Sequence, residues 1–245
     1  MQNAPLEHDH SAREIHRRLA VGPRNNYLRD WIYGGIDGTV TTFAIAAGVE
    51  GANLSSGVVL VLGAANVLAD GFSMAASNLS GTAAELDERR RLRAIEERHI
   101  AVEPEGEREE IRHLYREKGF EGELLERVVT VLTSNRERWI RIMLTEEYGL
   151  PATVRSPWWA AAATFSAFLL CGLCPLFPYL ISVDEPFRYS IVITCAVFFA
   201  IGSIKSRWSV RRWWTSGLET LLIGGAAAAL SYAIGWFLRG VAERV

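Results

Sequence analysis

Cysteine is scarce: Cys171, Cys174 and Cys195 are the only three in 245 residues. So few thiols exclude the disulfide framework of a small secreted domain. Neither sign of charge dominates, since 26 basic residues against 28 acidic ones leave a net charge of -2. That balance gives no hint of a nucleic-acid partner. No G-x-x-x-x-G-K-[ST] run is present, which removes a Walker-type phosphate loop and argues against direct drive by ATP. The opening stretch, MQNAPLEHDHSAREIHRR, has no apolar h-region, so no secretory signal is expected.

What is present is segregated. Mean hydropathy is only +0.10, but charges crowd into 1–29 and 85–155 and thin out elsewhere. Between them lie five apolar stretches, 31–52, 57–81, 158–182, 187–204 and 217–238, each long enough to cross a bilayer as a helix. The first two are rich in glycine and alanine, which suits close helix packing. Pro175 and Pro178 predict a kink or early end in the third. Trp158, Trp159, Trp208, Trp213, Trp214 and Trp236 fall at predicted span ends, like an aromatic belt.

The basic residues of the short connections give an orientation. Arg13, Arg17, Arg18, Arg24 and Arg29 precede the first span, and Lys205, Arg207, Arg211 and Arg212 lie between the fourth and fifth. The positive-inside tendency then predicts a cytoplasmic N-terminus, central insert and fourth-to-fifth loop. Arg239 and Arg244 run against that pattern. The expected organisation is an all-α polytopic membrane protein: a cytoplasmic N-terminal tail (1–29), two spans (30–84), a cytoplasmic helical metal-binding insert (85–155) and three further spans (156–245).

The insert reads as a helix continuing out of the second span, broken at EPEG. A second helix follows, with Ile111, Leu114 and Tyr115 on its apolar side and Gly119 at its end, and then one or two more. Glu96 and His99 are three apart, as are Glu107 and Glu110, while Met143 and Glu147 are four apart. Each pair shares a helix face and can offer two ligands to one ion. The same spacing also describes a solvated charged face, and spacing alone does not choose. Glu96-x-x-His99 and Glu110-x-x-His113 match the E-x-x-H repeat of ferritin-like di-iron bundles, but their Pro-Gly separation is too short for two long helices of such a bundle.

Within the second span, Asn66, Asp70, Met74 and Asn78 recur every fourth residue, drawing a polar, sulfur-bearing stripe along one helix face. Asp37 lies inside the first span. Intramembrane carboxylates are costly and normally face a water-filled path or a partner. Met74 adds a soft thioether that Ca²⁺ or Mg²⁺ would not seek. The alternatives are that Asp70 bonds to a neighbouring helix as packing glue and that Met74 fills core space. Cys171-x-x-Cys174 lies in an apolar span without a second pair, and reads as packing. His8, His10 and His16 sit on what reads as an unstructured tail.

The stretches DGTVTTFAIAAGVEGA, ANVLADGFSMAASN, PEGEREEI and TEEYGLP, in that order, resemble the vacuolar iron transporter family. The resemblance implies a homodimer of five-helix subunits that exchanges cytosolic Fe²⁺, and often Mn²⁺, for protons. It implies that the first spans line the path at the dimer interface and that the insert collects metal. By position, Asp37 and Met74 match the family's intramembrane aspartate and methionine; Glu96, Glu107, Glu110, Glu147 and Met143 match residues of its insert. Asn66 and His99 stand where glutamates are usual, and Leu144 where a second methionine is. Asp70, one turn beyond Asn66, can offset the first of these departures.

The expected function is therefore export of Fe²⁺ or Mn²⁺ from the cytosol against protons, with no tightly bound cofactor. The expected partners are the metal ions, protons, the lipid bilayer and a second copy of the chain. A bacterial-type plasma membrane is the expected location, with a vacuolar membrane as the alternative. The protein is not expected to be an enzyme; the rival readings are a membrane-tethered ferroxidase and a metal-responsive protein using the insert.

Overall fold

The computed structural model describes residues 9–22, 25–208 and 210–242. His8, Arg24 and Arg244, which entered the readings above, lie outside the described residues. The described elements are helical: α1 (Ala12–Val21), α2 (Leu28–Gly51), α3 (Ser56–Val102), α4 (Pro104–Glu117), α5 (Gly122–Thr133) and α6 (Arg136–Ile142). A π-turn (Met143–Glu147) follows, then α7 (Pro157–Leu173), a 3₁₀ turn (Cys174–Leu176), α8 (Phe177–Leu180) and α9 (Pro186–Lys205). A second 3₁₀ turn (Ser206–Trp208) leads to α10 (Trp213–Ala242). The expected all-α architecture with five helices long and apolar enough to span a membrane is what is found. The residues form two compact units, Asn26–Thr82 with Ser156–Val245, and Met1–Asn25 with Ala83–Arg155.

In the first unit, α2 packs against α7, α9 and α10. Small residues make this close approach possible. A Cβ on Gly38 would lie 2.5 Å from the Phe168 carbonyl oxygen, and one on Gly235 only 2.0 Å from that of Gly48. Without a hydrophobic drive between helices in lipid, such backbone-to-backbone packing is a main source of association. The expected break in the third span falls at the Cys174–Leu176 turn. Pro175 lacks the N–H an α-helix needs, and its carbonyl oxygen accepts from the buried Ser190 hydroxyl at 2.8 Å. Leu68, Phe72, Leu222, Trp236 and Phe237 are exposed, the outward composition that lipid contact requires.

In the second unit, α3 continues unbroken to Val102, and Pro104 opens α4 at a position where its missing N–H costs nothing. Ile111, Leu125, Val129, Trp139 and Met143 form the core of this small helical unit. Gly119, with φ +90°, supplies the left-handed turn after α4. One expectation fails: residues 12–21 are not an unstructured tail but α1, started by the Ser11 hydroxyl accepting from the Glu14 amide at 3.4 Å and supported by a Glu14–Arg17 ion pair. His16 lies on that helix, while His10 precedes it.

Candidate functional site

Two groups of polar residues stand out, one in each unit. In the first unit, the Thr41 hydroxyl donates to the Asp37 carbonyl oxygen one helical turn back, at 2.9 Å. The same hydroxyl oxygen accepts from Asn66 Nδ2 at 3.2 Å, tying α2 to α3 beside Asp37. Asn66 is thus held in a specific contact rather than left as a loose amide. Asp37 is half-buried, Met74 is half-buried and Asp70 is exposed. The Asp37 and Asp70 carboxylates lie near enough to act on one another electrostatically.

The fourth member of the stripe does something else. Asn78 Nδ2 reaches Asp30 Oδ1 at 3.0 Å, Thr164 Oγ1 at 2.7 Å and the Ala160 carbonyl oxygen at 3.3 Å. This knot joins α2, α3 and α7 around Asp30, which is 3% exposed. The sequence reading missed Asp30 because it lies one residue before the predicted first span. The signal was present: a carboxylate directly abutting an apolar run. Cys171 and Cys174 are free thiols; Cys171 sits against Gly35, and Cys174 Sγ donates to the Leu170 carbonyl oxygen at 3.2 Å, contacts that fit packing.

In the second unit, α3, the first turns of α4 and the π-turn bring Glu96, Glu107, Glu110 and Glu147 within electrostatic reach of one another. Glu96 is 1% exposed and Glu107 5%. The Tyr148 hydroxyl donates to Glu96 Oε1 at 2.8 Å. Glu96 Oε2 and Glu107 Oε2 have no hydrogen-bond partner. Burial first, and then the Glu96, Glu110 and Glu147 charges, push the Glu107 carboxyl up to about 8. Burial, followed by Glu96 and Glu110, pushes Glu147 up to about 7. These are the shifts expected when buried carboxylates share a site without a counter-charge.

The neighbouring acids show the contrast. Glu97 and Glu137 pair with Arg93, Glu105 with Arg108, Glu109 and Glu126 with Arg112, and Glu146 with Lys118. Among the described residues, no Arg or Lys pairs with Glu96, Glu107, Glu110 or Glu147. His99 is, among the described residues, the one basic side chain in contact, with Nδ1 3.2 Å from Glu107 Oε1. His113 stands apart, exposed and 3.4 Å from Glu117, so the two E-x-x-H histidines do not meet at one centre. Met143 is fully buried in the core with Ile111 and Trp139. Among the described residues, no three His, Cys, Asp or Glu side chains form a ready-made ligand set; the acids converge in charge, two buried and two exposed, without closing into a cage.

The sequence pattern of the VIT family matches residues 28–236, spanning both groups. Vacuolar iron transporter 2 of Oryza sativa subsp. japonica is 32% identical over 210 residues, covering 84% of this chain and 85% of the relative. Vacuolar iron transporter 1 of Arabidopsis thaliana is 32% identical over 210 residues, covering 84% of each chain. The vacuolar iron transporter of Toxoplasma gondii is 29% identical over 240 residues, 91% of this chain and 78% of the relative. With the family pattern running from the start of α2 into α10 and relatives aligned along most of their own length, this five-span integral membrane protein belongs to the VIT family.

Proposed function

We propose that the protein exports Fe²⁺, with Mn²⁺ as a second cargo, from the cytosol in exchange for protons, and that it does so as a homodimer. The observation that carries this reading is the set of four carboxylates that, among the described residues, have no Arg or Lys partner, two of them buried, in a unit where neighbouring acids are paired. Unpaired acids held together repel, and a divalent cation relieves that repulsion. Glu96, Glu107, Glu110 and Glu147 collect the ion, with His99 as a nitrogen ligand; Met143, packed in the core with Ile111 and Trp139, stays out of that set. Because Glu107 and Glu147 hold protons near neutrality, an arriving cation displaces them.

Transfer then uses Asp37, Asp70 and Met74, with Asn66 fixing α3 beside α2. A carboxylate can hold the metal or a proton, so each departure of an ion leaves a proton acceptor for the return step. Asp70 is exposed on the protomer although it lies mid-span. Lipid is a poor cover for a carboxylate, and a second copy placing its own α2 and α3 there supplies a polar one. A bacterial-type plasma membrane is the proposed location, with the N-terminus and insert cytoplasmic; no tightly bound cofactor and no catalysis are part of the proposal.

Proteoliposomes test it. Loaded with a pH-sensitive dye and offered Fe²⁺ or Mn²⁺ on the insert side, they should show metal uptake with opposed proton movement. Oxygen consumption without flux would instead make the protein an oxidase, and metal binding without either would make it a sensor.

A further inference from the structure

We infer that the membrane unit carries a binding site for an anionic phospholipid, between the start of α2 and the end of α9. A cavity of about 610 Å³ opens there, lined among others by Arg29, Ile32, Tyr33 and Ile36 from α2 and by Lys205 and Trp208 from the end of the fourth span. Its charge is one-sided. The Arg29 guanidinium lies 5.4 Å from the Tyr33 ring centroid, and neither Arg29 nor Lys205 pairs with an acid among the described residues. The adjacent carboxylate, Asp30, is buried and occupied with Asn78 Nδ2. Two cations from different helices therefore face one cavity with no anion in it.

The rest of the lining says what kind of anion fits. Ile32 and Ile36 are one helical turn apart on α2 and lead from the cations into the apolar span. Tyr33 and Trp208, both exposed, flank the same opening, and amphipathic rings of this kind settle at headgroup level. A ligand with a phosphate at one end and acyl chains at the other satisfies both halves. A soluble phosphate would leave the isoleucine wall uncovered. A second copy of the chain docked by a two-fold on this patch would set Arg29 and Lys205 against their own equivalents, like charge on like. Basic cavities between spanning helices are the sites where anionic headgroups are held.

The test uses the full-length protein, delipidated in neutral detergent, with bound lipid counted by native mass spectrometry. Phosphatidylglycerol should be retained in preference to phosphatidylcholine, and excess inorganic phosphate should not displace it. Each lost cation should weaken retention about fivefold, so Arg29→Gln with Lys205→Gln should lose about 25-fold. Arg211→Gln with Arg212→Gln, equal in charge change but outside the cavity, should keep wild-type retention. Ile32→Trp, which fills the apolar part and keeps both cations, should also lose the lipid with an unchanged melting temperature. Equal losses in the two double variants would reduce the effect to diffuse charge and overturn the site. Displacement by inorganic phosphate, or disulfide cross-linking of two protomers through Tyr33→Cys, would assign the cavity to a different occupant and overturn it as well.

Discussion

The Tyr148 hydroxyl donates to Glu96 Oε1 at 2.8 Å and leaves Glu96 Oε2, on a side chain 1% exposed, with no partner. One oxygen is fixed while the other stays open. This arrangement suits the ligand role proposed for Glu96, because the held oxygen sets the plane in which the free one points. The same tyrosine follows directly on the π-turn that carries Met143 and Glu147, so its hydroxyl ties that turn to α3.

Tyr148→Phe removes the donor and keeps the ring. Metal affinity of the insert should fall about tenfold, the lower end for loss of a group that orients a ligand. Isothermal titration of the full-length protein with Mn²⁺ reads this directly. An unchanged affinity would mean that Glu96 is held by packing alone.

Metal binding by the insert should depend on pH in a definite direction. Glu107 at about 8 and Glu147 at about 7 are both raised from the ordinary 4.5. In the metal-free protein, protonation of these groups favours the fold: their contribution is complete below 4.5 and is lost as pH rises through about 7 and about 8. Thermal unfolding of the metal-free protein should therefore shift to lower temperature over that range. Divalent metal should reverse the trend, since it binds the deprotonated form and releases protons on binding. A melting temperature that rises with pH in the absence of metal would contradict the raised titration of Glu107 and Glu147.

The parts of this fold that were legible in the sequence are those set by length and polarity. Five apolar runs gave the spans, Pro175 and Pro178 gave the break in the third, and Pro104 gave the turn between α3 and α4. The helix α1 was also written there, as Ser11-x-x-Glu14 is a capping-box pattern, but a polar terminus hid it. The candidate site was legible only in pieces. Glu96, Glu107, Glu110 and Glu147 could be named as pairs, yet their convergence depends on how α4 and the π-turn return to α3, which no local spacing encodes. Met143 and Glu147 were read on a 3.6-residue face, whereas a π-turn is wider and places Met143 in the core. Glu110-x-x-His113 was the reverse case: the motif is present, but His113 is exposed beside Glu117.

Asn78 and Asp70 share a stripe but should behave differently when replaced. Asn78→Ala strips one donor from the buried Asp30 carboxylate and one from the Thr164 hydroxyl, and each lost hydrogen bond costs about 1 kcal/mol, more where the acceptor is charged. Thermal stability in detergent should drop clearly while metal binding by the insert is retained. Loss of metal binding with stability intact would move Asn78 from packing into the ion path.

Asp70→Asn is the companion test, and it bears on the proton. Asp70 is exposed and makes no hydrogen bond to the knot around Asp30 among the described residues, so its replacement should cost little stability. The amide keeps an oxygen that can face a metal but cannot titrate near neutral pH. Flux in proteoliposomes should lose its dependence on the proton gradient, while Asp37→Ala, which removes a carboxylate from the proposed path altogether, should abolish flux with the protein still folded. The two variants together separate coupling from conduction. If Asp70→Asn leaves the pH–flux profile unchanged and Asp37→Ala loses both, one aspartate carries proton and metal alike, and the exposed Asp70 serves instead to meet the second protomer.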